Sequence, residues 1–486
     1  MIFNSFTFLI FLFVVLTLYW NSNSLLRLKI LFISSIIFYG FWRVEFVPLL
    51  LFSVFINYYA AKKIHISKQK KIKKKYLFLS LFTNFGLLGF FKYFYFFYNN
   101  GLSLLNLIGI NFVPIEINIL LPIGISFYTF QSVSYVVDIY KGNVKPVNNF
   151  TLFSTYIIFF PQLVAGPILR AGEVIWQFEK KKIFNLKDFK IGFERIIFGL
   201  FLKVVLADNI SKFVDSGFLM NPKLMSALDV LTLSYLFGFQ IYFDFSGYSH
   251  IAIGSALMFG IKLKENFNFP YHSISPKYFW RRWHITLSSW VRDYIYLPLL
   301  KQKSLNKSEG GFSQNLISLK LSFYTIYVLF ITWSLMGLWH GASWNFIVWG
   351  IWNFLIIILF RYIDLINNFS NSKISKILSW VVTLQLVMLG WVFFRADTLS
   401  LAFQMINCLF YIKNWTFITM GENVYLITFF TTVFYLISPY FLNLFRKLQS
   451  ISTNYSEILK NVLITLALTL VIIYFKVTSE FIYFQF

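Results

Sequence analysis

The sequence predicts an all-α polytopic membrane protein, and three observations carry that prediction. Of its 486 residues, 58% are hydrophobic and only 13% are charged, with a mean hydropathy of +0.67. A soluble chain of this length needs more polar surface than that composition supplies. The apolar residues fall in long runs, and most of the Lys and Arg lie in short clusters between those runs. Aromatic residues make up 22% of the chain, and many of the Tyr and Trp suit the headgroup level, where an amphipathic ring is stable. No soluble domain fits between the apolar runs, so residues 1–486 read as a single integral membrane domain.

A helix that crosses a bilayer needs about 20 largely apolar residues. The candidate runs are 3–20, 30–42, 46–60, 76–98, 118–138, 190–207, 229–260, 314–338, 343–361, 377–394, 424–444 and 460–477. The N-terminus (M-I-F-N-S-F-T-F-L-I-F-L-F) lacks a basic region and a small-residue cleavage site, which predicts a first membrane segment and not a cleaved signal. The run K-K-I-H-I-S-K-Q-K-K-I-K-K-K at 62–75 reads as a cytoplasmic loop beside anionic lipid, whereas 99–117 carries no Lys or Arg and reads as outside. Counting back through three helices places the N-terminus outside.

Two stretches break this pattern. Residues 150–168 are apolar, yet both flanks are basic, with Lys141 and Lys145 before and Arg170 and Lys180 to Lys182 after. That predicts a re-entrant hairpin, interrupted by Pro161, Gly166 and Pro167. Broken backbone at membrane depth is tolerated only where protein buries it or where it lines a water-filled cavity. Within 240–260, Gln240, Asp244, Ser246, Ser249 and His250 interrupt an apolar helix. Gln240 and Asp244 are four apart and share a face. That face turns either to an internal chamber or to neighbouring helices that it bonds.

The net charge of +24 does not indicate nucleic-acid binding, because the basic residues are distributed as loop markers. Cys408 is the only cysteine; it excludes an intramolecular disulfide and a thiolate cluster, and its apolar surroundings predict an inert buried thiol. No G-x-S-x-G, H-E-x-x-H or G-x-x-x-x-G-K-[ST] motif is present. Of the five histidines, His65 lies in the Lys run, His272 in a loop, and His284 among arginines and tryptophans. His340 ends a long apolar run and precedes Gly341, which allows a close approach to the backbone. A buried imidazole can take a proton from a hydroxyl, although a hydrogen-bonded core histidine would read the same way.

Six segments, in order along the chain, carry a family resemblance: G-I-S-F-Y-T-F-Q-S-V-S-Y-V-V-D (124–138), F-F-P-Q-L-V-A-G-P-I-L-R (159–170), Y-F-D-F-S-G-Y-S (242–249), F-W-R-R-W-H-I-T-L-S-S-W-V-R-D-Y-I-Y-L-P (279–298), G-L-W-H-G-A-S-W-N-F-I-V-W-G (337–350) and G-W-V-F-F-R-A (390–396). The chain resembles the membrane-bound O-acyltransferases, in the bacterial branch that acetylates alginate and peptidoglycan. The resemblance implies a ring of about 11–13 transmembrane and re-entrant helices around a central catalytic funnel. It makes His340 the catalytic histidine and His284 its second polar position. It places Arg281, Arg282, Trp283, Gln162, Asp244, Trp339 and Asn345 among the substrate-binding positions, with the Arg281, Arg282 and Arg292 surface as a landing site for donor phosphates. His250 departs from the pattern, which has Asp after S-G-Y-S.

The resemblance implies acetyl-CoA as a cytosolic donor, no bound cofactor or metal, and a multi-pass location in a bacterial inner membrane. It further implies a periplasmic SGNH-type O-acetyltransferase as partner and a polysaccharide as acceptor. The abundance of Lys, Ile, Asn and Phe fits AT-rich codons, which favours peptidoglycan, at the muramoyl C6 hydroxyl, over alginate or another exopolysaccharide. A transporter of an acyl or glycan intermediate is the competing class; it favours inverted repeats, and none is visible. In a third reading, a scaffold, the histidines merely bridge helices.

Overall fold

The computed structural model describes residues 1–110, 119–304, 322–367, 372–451, 453–475 and 481–482. Every regular element among them is helical. Among the described residues, seven helices are long and apolar enough to cross a membrane: Val44–Ile66, Lys70–Leu107, Phe323–His340, Trp344–Ile363, Lys373–Arg395, Glu422–Phe441 and Tyr455–Tyr474. The chain is a multi-pass membrane protein. Its described residues form two compact units. The first holds Met1–Leu200 and Gly247–Glu265, together with Phe481 and Ile482. The second holds Phe201–Ser246 and Asn266–Phe475.

In the first unit, local side chains set the helix starts. The Ser5 hydroxyl accepts from Phe8 N at 3.1 Å and opens Phe6–Trp20, and Asn23 caps Ser24–Gly40 through Leu26 N at 3.0 Å. These bonds satisfy amides that a helix start leaves without partners. The basic run at 62–75 is not the loop expected of it. The helix Val47–Ile66 continues through Lys62 and Lys63, and the next begins at Lys70, leaving only Ser67 to Gln69 between them. Lys is a good helix former, so both helices extend past the apolar segment. The following helix likewise runs beyond the expected 76–98 to Leu107, through a π-helical turn at Gly89–Tyr93. Of the expected outer loop, 111–117 lies outside the described residues.

These two neighbouring helices are joined by amides at membrane depth. Asn84 Nδ2 donates to Asn57 Oδ1 at 2.9 Å, and the Ser80 hydroxyl donates to the same oxygen at 2.6 Å. The Ser53 hydroxyl donates to Asn84 Oδ1 at 3.2 Å. All four side chains are buried. Hydrogen bonds between membrane helices contribute about 0.6 to 1.7 kcal/mol each. Asn84→Leu therefore lowers stability by about 2 kcal/mol, read as a shift in the denaturant midpoint of the detergent-solubilised protein.

The interruption at 159–170 matches expectation. The helix Phe150–Ile158 has nine residues, a length of about 14 Å at 1.5 Å per residue, which falls well short of a bilayer core of about 30 Å. It packs against Ala171–Glu179, the helix that follows the broken segment. Residues 159–169 between them are buried. Protein groups bond this backbone: Phe160 N donates to the Ser35 hydroxyl at 3.0 Å, and the Tyr156 hydroxyl donates to Leu169 O at 2.9 Å. Also in this unit, Gly192 and Gly199 meet the backbone of Gly254 and Gly247; a Cβ on either would lie within 2.7 Å of the opposing carbonyl oxygen. Gly199 is therefore small because the backbone of the F-S-G-Y motif presses on it at Gly247.

The second unit contains the long helices from Phe323 onward and the first part of Ala227–Met258. Residues 314–321 of the expected span 314–338, like 476–477 of the last, lie outside the described residues; the helix begins at Phe323 behind a Ser322 cap that accepts from Thr325 N at 3.2 Å. The helices Phe323–His340 and Trp344–Asn367 form a tight hairpin. A Cβ on Gly337 would lie 2.2 Å from Phe346 O, and one on Gly350 2.3 Å from Trp333 O. Small residues let membrane helices approach to backbone contact in this way. Short helices occupy the stretch between the expected spans 229–260 and 314–338, at Pro276–Trp280, Ile285–Val291 and Leu297–Ser304.

Candidate active site

His340 occupies the last turn of its helix, where the hairpin turns. Its side chain is boxed by aromatic rings: Trp339 and Trp349 each have centroids 4.8 Å away, and Phe394 is 5.2 Å away. The residue is 3% exposed. Gly341 is extended (φ −167°), so its backbone does not require glycine. Space does, because a Cβ there would lie 2.1 Å from the Phe346 ring. Phe346 in turn packs edge-on against Phe394 at 4.9 Å. Gly341→Ala thus drives Phe346 into a wall of the His340 box. Displacing reacting groups by about 1 Å costs up to about 100-fold in rate, so this variant is expected to lose about 10- to 100-fold in turnover, measured beside its thermal stability.

His284 reaches the same neighbourhood by different means. It stands at the start of Ile285–Val291 in a left-handed conformation (φ 39°, ψ 56°) that side-chain-bearing residues rarely adopt. The preceding chain is fixed by Asn268 N, which donates to Arg282 O at 3.0 Å, and the following chain by Ile285 N, which donates to Asn266 O at 2.9 Å. The His284 ring is fully buried, 4.6 Å from Phe245 and 6.1 Å from Trp339. The Trp339 indole therefore borders both imidazoles. Trp283, beside His284, packs at 4.9 Å on Trp391, which packs on Trp349 and Phe394. Four expected positions, Trp283, His284, Trp339 and His340, thus belong to one aromatic cluster.

The other expected positions have different surroundings. Asn345 donates its amide to Ala396 O and ties the start of Trp344–Asn367 to the end of Lys373–Arg395, behind the Phe394 wall. Asp244 does not simply present a polar face to a chamber: its carboxylate lies 2.5 Å from Lys203 Nζ, which also reaches Asp208 at 2.9 Å. Lys203 sits in a π-helical turn, Phe201–Ala207, and sequence reasoning missed it. Gln162 belongs to the first unit, where its Nε2 donates to Tyr156 O at 2.7 Å across the broken segment. Arg281 is exposed over the Tyr278 ring, and Arg282 is half-buried. Arg292, expected to serve the donor, is bidentate with its neighbour Asp293. His272 stacks on Tyr435, His250 meets Phe198 edge-on, and the buried Cys408 donates to Pro222 O. Three buried tyrosines were also missed, of which Tyr242 and Tyr271 pack on Trp283. The Tyr271 hydroxyl donates to Gly238 O at 2.6 Å, and Tyr242 and Tyr435 pack around that ring.

This geometry suits proton transfer and acyl chemistry in an apolar enclosure, and similarity to known proteins decides the class. The family model for the membrane-bound O-acyltransferases matches residues 30–401. The chain belongs to that family. The matched stretch of this O-acyltransferase includes all six quoted segments and every expected site residue. The enzyme is 38% identical to the probable alginate O-acetylase AlgI of Pseudomonas aeruginosa, over 85% of this chain and 76% of that one. It is 36% identical to the peptidoglycan O-acetyltransferase of Helicobacter pylori, over 80% of this chain and 74% of that one. A more distant relative is the teichoic acid D-alanyltransferase of Bacillus subtilis, 27% identical over 57% of this chain and 69% of that one.

Proposed function

We propose that this acyltransferase takes acetyl from acetyl-CoA at the cytosolic face of a bacterial inner membrane and passes it outward for O-acetylation of a polysaccharide. The observation that carries this reading is the pair of buried imidazoles, His284 and His340, that border one indole in an O-acyltransferase. A neutral His340 accepts the proton of a hydroxyl presented by the partner protein while that oxygen attacks the thioester carbonyl. The carbon–sulfur bond breaks, and the imidazolium returns the proton to the departing thiolate. His284 holds the carbonyl oxygen as negative charge develops on it. Arg281, exposed beside Lys277, receives the donor's phosphates.

Acetyl as the acyl group, and a polysaccharide as its destination, are supported by the names of the alginate and peptidoglycan relatives. A periplasmic SGNH-type partner completes the transfer. We take peptidoglycan, at the muramoyl C6 hydroxyl, as the acceptor; the Helicobacter pylori relative and the AT-rich character of the composition support it. An exopolysaccharide is the second reading, favoured by the similarity to the alginate O-acetylase. The test supplies radiolabelled acetyl-CoA to purified protein, with His340→Ala alongside, and then adds the partner and cell-wall acceptor. Label released only by the wild type and recovered as base-labile ester on muropeptides is the expected result. Turnover with label on an exopolysaccharide instead moves the acceptor. No turnover with any acceptor refutes the reading and favours transport.

A further inference from the structure

The strained turn at His284 points to a positioning residue outside the expected set. Asn266 is fully buried, and it holds the chain after His284 twice. Its backbone oxygen accepts from Ile285 N at 2.9 Å, and its side-chain Oδ1 accepts from the Thr286 hydroxyl at 2.6 Å. Two residues further on, Asn268 N bonds Arg282 O at 3.0 Å, so the segments 266–268 and 282–286 are clamped together on both sides of His284. Among the described residues, the two side-chain-bearing ones with positive φ, His284 and Phe269, lie in or next to these segments. Each such conformation costs about 1–3 kcal/mol and persists only where the surroundings over-determine it. Neither Asn266 nor Thr286 is among the residues whose rings border His340.

We propose that the Asn266–Thr286 hydrogen bond is the device that holds His284 in its left-handed conformation and so aims its imidazole beside Trp339. Asn266 acts through His284 and is a positioning residue; the proposal rests on the reading that His284 serves acyl transfer. The backbone bond from Ile285 survives any side-chain change at 266, so the side-chain bond can be tested alone.

The experiment measures acetyl-CoA turnover for Asn266→Ala, Thr286→Val, their double variant, Asn266→Asp, Thr286→Ser and His284→Ala in the full-length protein, each checked for thermal stability. The expected result is a loss of about 30- to 100-fold in kcat for Asn266→Ala and for Thr286→Val, as for a reacting group displaced by about 1 Å, with the donor KM unchanged. The double variant should be no worse than either single one, because both remove the same bond. Asn266→Asp keeps an acceptor and Thr286→Ser keeps a donor, and both should recover most of the rate. Additive losses, losses confined to KM, or full activity in both single variants would overturn the proposal. If His284→Ala is as active as the wild type, the role of His284 itself fails. If His284→Ala is inactive while the Asn266 and Thr286 variants are normal, only the positioning inference fails.

Discussion

His340→Ala is expected to lower acyl transfer by about 1,000-fold or more, within the range that general acid–base groups supply, while the protein inserts and folds. The fold should survive because the His340 ring is held by contacts with Trp339, Trp349 and Phe394, which also hold one another: Trp349 packs on Phe394 at 5.3 Å and on Trp391 at 5.9 Å. Losing one ring from such a cluster costs packing, a few kcal/mol at most. His340→Gln separates chemistry from packing. It restores volume and a polar end but cannot serve as the base, so activity should stay low while stability recovers. If His340 only bridged helices, the order would reverse, with His340→Gln active and His340→Ala unstable. The measurement is turnover of radiolabelled acetyl-CoA beside the thermal midpoint of each variant.

The sequence made the long helices legible because lipid leaves a one-dimensional signal: runs such as 343–361 and 377–394 have to be apolar to cross. It also located the break at 159–170, since Pro161 and Pro167, with Gly166 between them, crowd the segment with residues that disfavour a helix interior. His340 could be singled out because an imidazole at the end of such a run is costly. Its enclosure could not, because Trp349 and Phe394 come from helices that read as ordinary apolar spans. His284 gave no sign that its backbone is left-handed, a conformation imposed by pairing with residues 266–268. Asn266, in a polar stretch that reads as loop, was invisible for the same reason. The 62–75 run misled because the charge pattern marks where the apolar segment stops, whereas the helix continues past that point to Ile66. The sequence leaves Asp244 facing either a chamber or a neighbouring helix, and its partner lies 41 positions earlier in a π-helical turn that no periodicity announces.

That partnership sets the second large expectation. Lys203 and Asp244 are 7% and 2% exposed at their side chains and stand 2.5 Å apart, with Asp208 at 2.9 Å from the same ammonium. Removing one member of a buried ion pair strands the other in a medium that cannot solvate it, which costs about 3–5 kcal/mol. Asp244→Leu should therefore destabilise the protein by about 3 kcal/mol, toward the low end because Asp208 still faces Lys203. Lys203→Met should cost more, since it removes the ammonium that both carboxylates share. The combination of Asp244→Leu with Lys203→Met removes the most buried pair and leaves only Asp208, the more exposed carboxylate at 19%, so it should regain most of the stability lost by Lys203→Met alone. A substrate-binding Asp244 predicts another pattern: Asp244→Leu would fold normally with a raised donor KM, and Lys203→Met would not rescue it. Denaturant midpoints and KM values for the three variants decide between a charge pair that holds the polar stretch of Ala227–Met258 at membrane depth and a carboxylate that meets the donor.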